Sequence, residues 1–342
     1  MIKKINLLSK YIYLISDIHA NISLFKKSIE SLDLKNDYLF ILGDIFEKGN
    51  NNIETIDYVM SLIKTKHVYC VVGNCDLVLN QFIGSIDKDK LKYYSLVLKK
   101  TILNEFYDSI NVDYTKDFDM SLALNKIYIK HKKYFDFINS LPKAIVINDT
   151  ILLTHANFSE SLKKGLLKQD EINELKDYQM KICGHLPVML FDDSKNIISS
   201  SPKRNEGFLH IDCGNNVVPF GGLNLVKLDL TNLSYSFKSF YDYPLVKVNK
   251  DVSKKDGLYF TKKEINGYKD ECDLISYSYN NDTYYASKDS LSRDLKFVYD
   301  STNIYLGLKK DSLVYLVKKG LVNSLVIYNN LIGLVDNINL DF

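Results

Sequence analysis

Residues 11–16, 38–42 and 68–72 are short apolar runs rich in β-branched and aromatic side chains, and the intervals between them carry apolar residues at helical spacing. Ile22, Leu24, Phe25, Ile29 and Leu32 mark the first interval; Ile53, Ile56, Val59, Met60 and Ile63 mark the second. Runs of this kind read as strands buried on both faces. Strand, helix, strand, helix and strand in that order imply parallel pairing with right-handed crossovers. Open α/β sheets place their sites at the carboxyl ends of the strands, and each run here ends in a short polar motif.

Five such motifs follow one another. They are Ser16-Asp17-Ile18-His19-Ala20-Asn21, Gly43-Asp44-Ile45-Phe46-Glu47-Lys48-Gly49, Gly73-Asn74-Cys75-Asp76, Thr154-His155-Ala156 and Cys183-Gly184-His185. Together they offer Asp17, His19, Asp44, Asn74, His155 and His185, a mixed oxygen and imidazole set that suits Mn, Fe or Zn better than Mg or Ca. Asp17 and His19, two apart, are expected to point the same way from an extended segment. Gly43, Gly73 and Gly184 are expected to let the backbone turn sharply beside the ions. Asp44 is placed to bridge two cations about 3.5–4 Å apart, between which a water ionises near neutral pH and attacks phosphorus in line. His67, His131 and His210 have no such setting and read as structural or surface residues.

Residues 77–140 are mostly helical in pattern, carry no chemical motif, and read as a helical, cap-like insertion. Strands resume at 144–147, 151–154, 181–183, 210–212, 223–230 and 233–240, the last two flanking a turn at Thr231-Asn232. Tyr241-Asp242-Tyr243-Pro244 reads as a boundary, beyond which the chain is rich in Tyr and Lys, with a hairpin turn expected in 279–284. A length of 342 residues exceeds the roughly 250–300 at which single cores stop growing. The organisation expected is a catalytic domain at 1–240 and a small accessory α+β domain at 241–342.

Lys and Arg number 44 against 42 Asp and Glu, a net charge of +2 with no basic block, which argues against a nucleic-acid partner. Five cysteines without a CxxC argue for a reducing cytosol rather than a disulfide framework. Cys70, Cys183, Cys213 and Cys272 read as small buried residues. Lys10 interrupts the apolar start, so residues 1–15 read as strand rather than signal peptide. No apolar run nears the ~18 residues that span a bilayer. A cytoplasmic location is therefore expected.

The ordered motifs resemble those of the calcineurin-like metallophosphoesterases. Phe137-Ile138-Asn139-Ser140-Leu141-Pro142 precedes Ile151-Leu152-Leu153-Thr154-His155-Ala156, and Gly184-His185-Leu186-Pro187 is followed by His210-Ile211-Asp212-Cys213-Gly214 and Gly221-Gly222-Leu223. That order is similar to bacterial serine/threonine protein phosphatases and to symmetrical diadenosine tetraphosphatases. The resemblance covers residues 11–240 and leaves out the last hundred. It implies an α/β fold of the αββα sandwich type, with the site at one edge. It assigns Asp17, His19 and Asp44 to one divalent ion, and Asp44, Asn74, His155 and His185 to a second. Manganese is the first expectation, with Fe, Zn or Ni as alternatives. The activity implied is hydrolysis of phosphate esters by a metal-bound hydroxide. A phosphorylated protein is the first substrate class, and a nucleotide or dinucleoside polyphosphate is the second.

Three departures from the family pattern bear on that implication. Cys75 stands where the family carries a His thought to protonate the leaving group. Glu47-Lys48-Gly49 replaces Asp-Arg-Gly, so Lys48 becomes a monodentate phosphate contact, and Glu47 lies beside Cys75 as an orienting or supporting carboxylate. A second phosphate-binding Arg is expected between His155 and Gly184, but residues 157–183 contain none. Only Arg204 and Arg293 exist in the chain, which leaves Arg204 as the candidate to swing toward phosphate. Gly-Asn-Cys-Asp also looks like the motif of compact phosphodiesterases of the same superfamily. Cys75 is open to three readings: tuned specificity, a redox-sensitive switch, or drift in a weakened enzyme. In the last case the chain is a metal-binding regulatory module whose C-terminal domain, through its tyrosines, binds a protein partner.

Overall fold

Every strand expected up to residue 240 is present, most within a residue or two of its expected ends. The structure, a computed structural model, describes residues 1–80, 100–113, 115–116 and 118–342. The first elements are β1 (Ile2–Ile5), β2 (Tyr11–Ile15), α1 (Ile22–Ile29), β3 (Tyr38–Ile41), α2 (Asn52–Ile63) and β4 (Val68–Cys70). Next come α3 (Ile102–Ser109), α4 (Met120–Ser140), β5 (Ala144–Ile147), β6 (Ile151–Thr154), α5 (Phe158–Lys163), α6 (Gln169–Leu175) and β7 (Met180–Cys183). β8 (Lys203–Asn205), β9 (Phe208–His210), β10 (Leu223–Asp229) and β11 (Tyr235–Phe240) follow. The strand expected at 210–212 lies two residues earlier, because Ile211–Gly214 leave the ladder to turn at the site edge.

The chain divides into two compact units. One comprises Met1–Leu186, Pro202–Asn216 and Leu223–Phe240; the other comprises Pro187–Ser201, Val217–Gly222 and Tyr241–Phe342. In the first unit β2, β3 and β4 pair in parallel, and the β10–β11 hairpin adds antiparallel beside β2. A six-stranded sheet has the order β1-β5-β6-β7-β9-β8. Strand alternation builds four layers from these two sheets. Ile12, Leu14, Phe40 and Leu42 meet Ile145, Ile147, Leu153 and Ile182 in one core between the sheets. Their neighbours Ile15, Leu39 and Ile41 face the opposite way, into a core with α1 to α4. Ala144, Val146 and Leu152 face Leu167, Ile172 and Leu175 on the α5–α6 side. This is the αββα order. Phe40 is fully buried at its centre, and truncating such a ring to Ala costs about 3–5 kcal/mol.

The described part of the insertion is helical, but it does not stand apart as a cap. Phe106, Tyr107, Tyr134 and Ile138 pack into the core that holds Phe25 and Val59. Residues 81–99 of the expected insertion lie outside the described residues. His131 breaks the geometry of α4 and stacks on Phe106 at 4.2 Å. His67 stacks on Tyr38. Both are structural, as expected.

The second unit corrects one expectation. Residues 241–342 contain strands and short 3₁₀ turns, and no α-helix. They form two five-stranded antiparallel sheets, each over its own apolar core. The reason is local. Two-residue loops join several of the strands, as at Asn280-Asn281 between Tyr279 and Asp282, where both asparagines have φ above zero. Such turns match strand twist and leave no length for a helix. Cys272 is exposed rather than buried. Among the described residues no helix is long and apolar enough to cross a membrane.

Candidate metal centre

The carboxyl ends of β2, β3 and β4 in one sheet and of β6 and β7 in the other deliver the ligand residues to one edge. Beyond β2 and β3 the backbones stay paired: Asp17 N–H donates to Gly43 O, and His19 N–H donates to Asp44 O. The segment holding Asp17 and His19 is not extended, as the spacing suggested. Asp17, His19, Ala20 and Asp44 all have positive φ, a conformation that costs a non-glycine residue roughly 1–2 kcal/mol. Left-handed turns, not strand alternation, converge these side chains, and strain of this kind collects at functional sites.

The glycine expectation also needs refinement. Gly43 alone turns by a positive φ, at +83°. Gly73 and Gly184 serve close approach: a Cβ on them would lie 2.2 Å from Asp44 Oδ1 and from Asp17 Oδ2, respectively.

Asp44 is central. Its Oδ2 lies 3.8 Å from His19 Nε2, and its Oδ1 lies 3.4 Å from His155 Nε2. Asp17 Oδ1 is 3.8 Å from the same His19 nitrogen. His155 Nε2 is also 3.1 Å from Asn74 Oδ1. The His155 and His185 rings meet edge-on at 5.1 Å. All six ligand candidates therefore converge. Asp44, His155 and His185 form one cluster of ligand atoms within 4.8 Å of one another; His19, Asp44 and Cys75 form another.

The protonation pattern of these groups calls for cations. His155 Nδ1 lies 2.7 Å from Leu42 O, a pure acceptor, so that nitrogen carries the proton. Its other ring nitrogen, Nε2, faces the oxygens of Asn74 and Asp44. His19 Nδ1 points at Phe46 O in the same fashion. A ligating His donates its other ring N–H to a backbone carbonyl in this way. Burial, and then Lys48, push His19 down to about 3, keeping its lone pair free. Asp17 Oδ1 is buried without a hydrogen-bond partner. Burial and the Asp44 charge push the Asp17 carboxyl well above its usual range. Burial also pushes Asp44 up, but His155, His19 and Lys48 outweigh it and hold the carboxylate low. The donors fit divalent metal ions, and Asp44 belongs to both ligand clusters.

The remaining predicted residues divide. The Nζ of Lys48 lies 3.4 Å from His19 Nε2, at the site. Cys75 is 8% exposed, and its N–H donates to Asp44 Oδ1 at 2.9 Å. Glu47 takes the supporting role: its buried carboxylate accepts the N–H of Ile102 and anchors the start of α3. Arg204 is not brought to the site. It lies on β8 rather than in a loop, and its guanidinium contacts Met180 Sδ at the opposite end of β7 from His185.

Three residues escaped the sequence reading. Asp76 accepts three backbone N–H groups, from Asp44, Ile45 and Gly73. Burial and the Asp44 charge raise it to about 7. Asp212 is 1% exposed, and burial followed by the Asp17 charge raises its carboxyl. Glu160 Oε2 is 3.6 Å from His185 Nε2. Asp76 and Asp212 stood inside motifs already quoted, so their motif positions were the available signal. Glu160 had none, since a helix carries it back to the site.

Residues 10–193 match the calcineurin-like phosphoesterase family, and the chain belongs to that family. Symmetrical bis(5'-nucleosyl)-tetraphosphatases of Buchnera aphidicola are similar in part. The one from subspecies Acyrthosiphon pisum, strain Tuc7, is 36% identical over 84 residues, and the one from subspecies Schizaphis graminum, strain Sg, is 33% identical over 85. Each match covers 24% of this chain and only 30% of the relative's length. Among solved structures, a protein serine/threonine phosphatase from Saccharomyces cerevisiae aligns at TM-score 0.44 and 10% identity, over 71% of this chain and 85% of that one. A metallophosphoesterase from Sphaerobacter thermophilus aligns at 0.38 and 15%, over 68% and 89%.

Proposed function

We propose that the chain is a dinuclear-metal-dependent phosphoester hydrolase whose substrate carries a good leaving group, a phosphoanhydride of the dinucleoside polyphosphate type. The observation that carries the reaction class is the placement of Asp44, with one carboxylate oxygen toward His19 and the other toward His155. Asp17, His19 and Asp44 would hold one ion; Asp44, Asn74, His155 and His185 would hold the other. Ions bound there supply Lewis acidity and lower the pKa of water. The residues of the chain do the rest. Asp76 and Gly73 fix the backbone that carries Asp44 and Asn74, and the Asp17 carboxylate ties the two sheet edges together through His185 N–H. Lys48 offers a single positive charge to the phosphoryl group, without the bidentate grip of an arginine.

Cys75 supports the leaving-group part of the reading. A buried thiol does not replace an imidazolium as proton donor. General-acid help is worth about 10²–10⁴-fold, and it matters most for a basic alkoxide such as a serine side chain. A nucleotide phosphate leaves without it. The names of the Buchnera relatives support the same substrate class. The competing reading, a phosphoprotein phosphatase, is separated by comparing kcat/KM on diadenosine tetraphosphate and on a phosphoserine peptide, with Mn, Fe, Zn and Ni in turn. Faster turnover of the dinucleotide is expected. Preference for the peptide would favour the phosphatase reading, and no turnover with any ion would favour the regulatory module.

A further inference from the structure

Cys75 is placed for a role that neither a proton donor nor a core side chain explains. Its sulfur belongs to a cluster with His19 and Asp44 in which the ligand atoms lie within 4.8 Å of one another. All three residues are more than nine-tenths buried. Beside this cluster, Asp17 Oδ1 is buried without a hydrogen-bond partner and lies 3.8 Å from His19 Nε2. A tetrahedral ion with bonds of about 2.0–2.3 Å sets its donors roughly 3.5 Å apart. The His19 to Asp17 and His19 to Asp44 separations, each 3.8 Å, are close to that value.

The position of the sulfur is held from two sides. The Cys75 N–H is fixed on Asp44 Oδ1, and the Asn74 amide donates to Cys75 Sγ at 3.5 Å. Asn74 thus turns its oxygen to His155 and its N–H to the sulfur, serving both halves of the centre with one side chain.

We infer that Cys75 is a thiolate ligand of the ion held by Asp17, His19 and Asp44. The inference rests on the reading of this site as a metal centre. Coordination forms a metal–sulfur bond and releases the thiol proton to solvent. A set of two carboxylates, one imidazole and one thiolate is softer than carboxylates and imidazole alone. It therefore favours Zn, Fe(II) or Co(II) over Mn at this position.

Cobalt substitution of the full chain tests this through spectra rather than turnover. Visible d–d bands report a bound ion, and a near-ultraviolet thiolate-to-cobalt charge-transfer band reports the sulfur. Wild type is expected to show both. Cys75→Ser is expected to keep the d–d bands, lose the charge-transfer band, and bind Co²⁺ at least about tenfold more weakly. Cys75→Ala, which keeps the same backbone N–H, serves if the serine variant does not fold. In wild type, d–d bands without charge transfer overturn the inference and leave the metal centre standing. A charge-transfer band that survives both variants also overturns it. Absence of both bands overturns the metal-centre reading itself, and the inference with it.

Discussion

Asp76 holds Asp44: one carboxylate oxygen of Asp76 accepts the Asp44 N–H at 3.0 Å, while the other accepts the N–H of Ile45 at 2.8 Å. The first oxygen also accepts Gly73 N–H, so one buried side chain ties the loop after β3 to the loop after β4. The Asp44 carboxylate is thereby placed by a residue whose three hydrogen bonds go to backbone N–H groups.

Asp76→Asn replaces one of those acceptor oxygens with an amide that faces N–H donors. Folding free energy is expected to fall by about 2–4 kcal/mol, with divalent-ion affinity falling alongside. Urea unfolding and a chelator competition check the two effects. Wild-type values for both would show that Asp76 does not position Asp44.

Cys75→His restores an imidazole beside Asn74. Turnover of an alkyl phosphate is expected to rise at least about tenfold relative to turnover of a phosphoanhydride, because only the alkoxide needs the proton. Paired kcat/KM measurements on the two substrates decide it. An equal change on both would remove the leaving-group argument.

Much of this centre was legible because strand runs and motifs are local in sequence. Ala144–Ile147 and Ile151–Thr154 were read to the residue, since their alternate side chains are apolar toward both layers. Side-chain direction was not legible. Glu47 shares a motif with Lys48, yet tertiary packing turns its carboxylate to Ile102 N–H. Arg204 is near His210 in sequence, but strand register carries its guanidinium to the far end of β7. Asp17 and His19 were expected to be extended, because nothing in Asp-Ile-His announces two left-handed residues; the pairing with the loop after β3 imposes them. In the second unit the hairpin turn expected in 279–284 is present at Asn280-Asn281, whereas Asn329-Asn330, a two-residue hairpin loop of the same kind with positive φ, was not read.

Asp300 gives the second unit a pH dependence. It accepts the Tyr259 hydroxyl at 2.5 Å, and burial raises its carboxyl to about 6 despite that bond. The folded state therefore favours the protonated form. Its contribution is fully present below the ordinary carboxylate pKa and is lost as pH rises through about 6. Between pH ~4 and ~7 the stability of this unit is expected to fall by on the order of 3 kcal/mol. Asp300→Asn, which tolerates the positive φ of this position, should flatten that slope. Hydrogen-exchange protection of Tyr259–Glu264 amides in the intact chain reads it. A slope unchanged in Asp300→Asn would assign the effect to other groups.

The most direct test of the centre is ion-dependent hydrolysis of p-nitrophenyl phosphate and its bis ester by wild type and by Asp44→Asn, with bound metal counted per chain. Wild type is expected to turn over only with a divalent ion present. Asp44→Asn should lose more than about 10²-fold in rate and hold fewer ions, since it removes the charge shared by both ligand clusters. Wild-type turnover and full metal content in Asp44→Asn would contradict the assignment of this site.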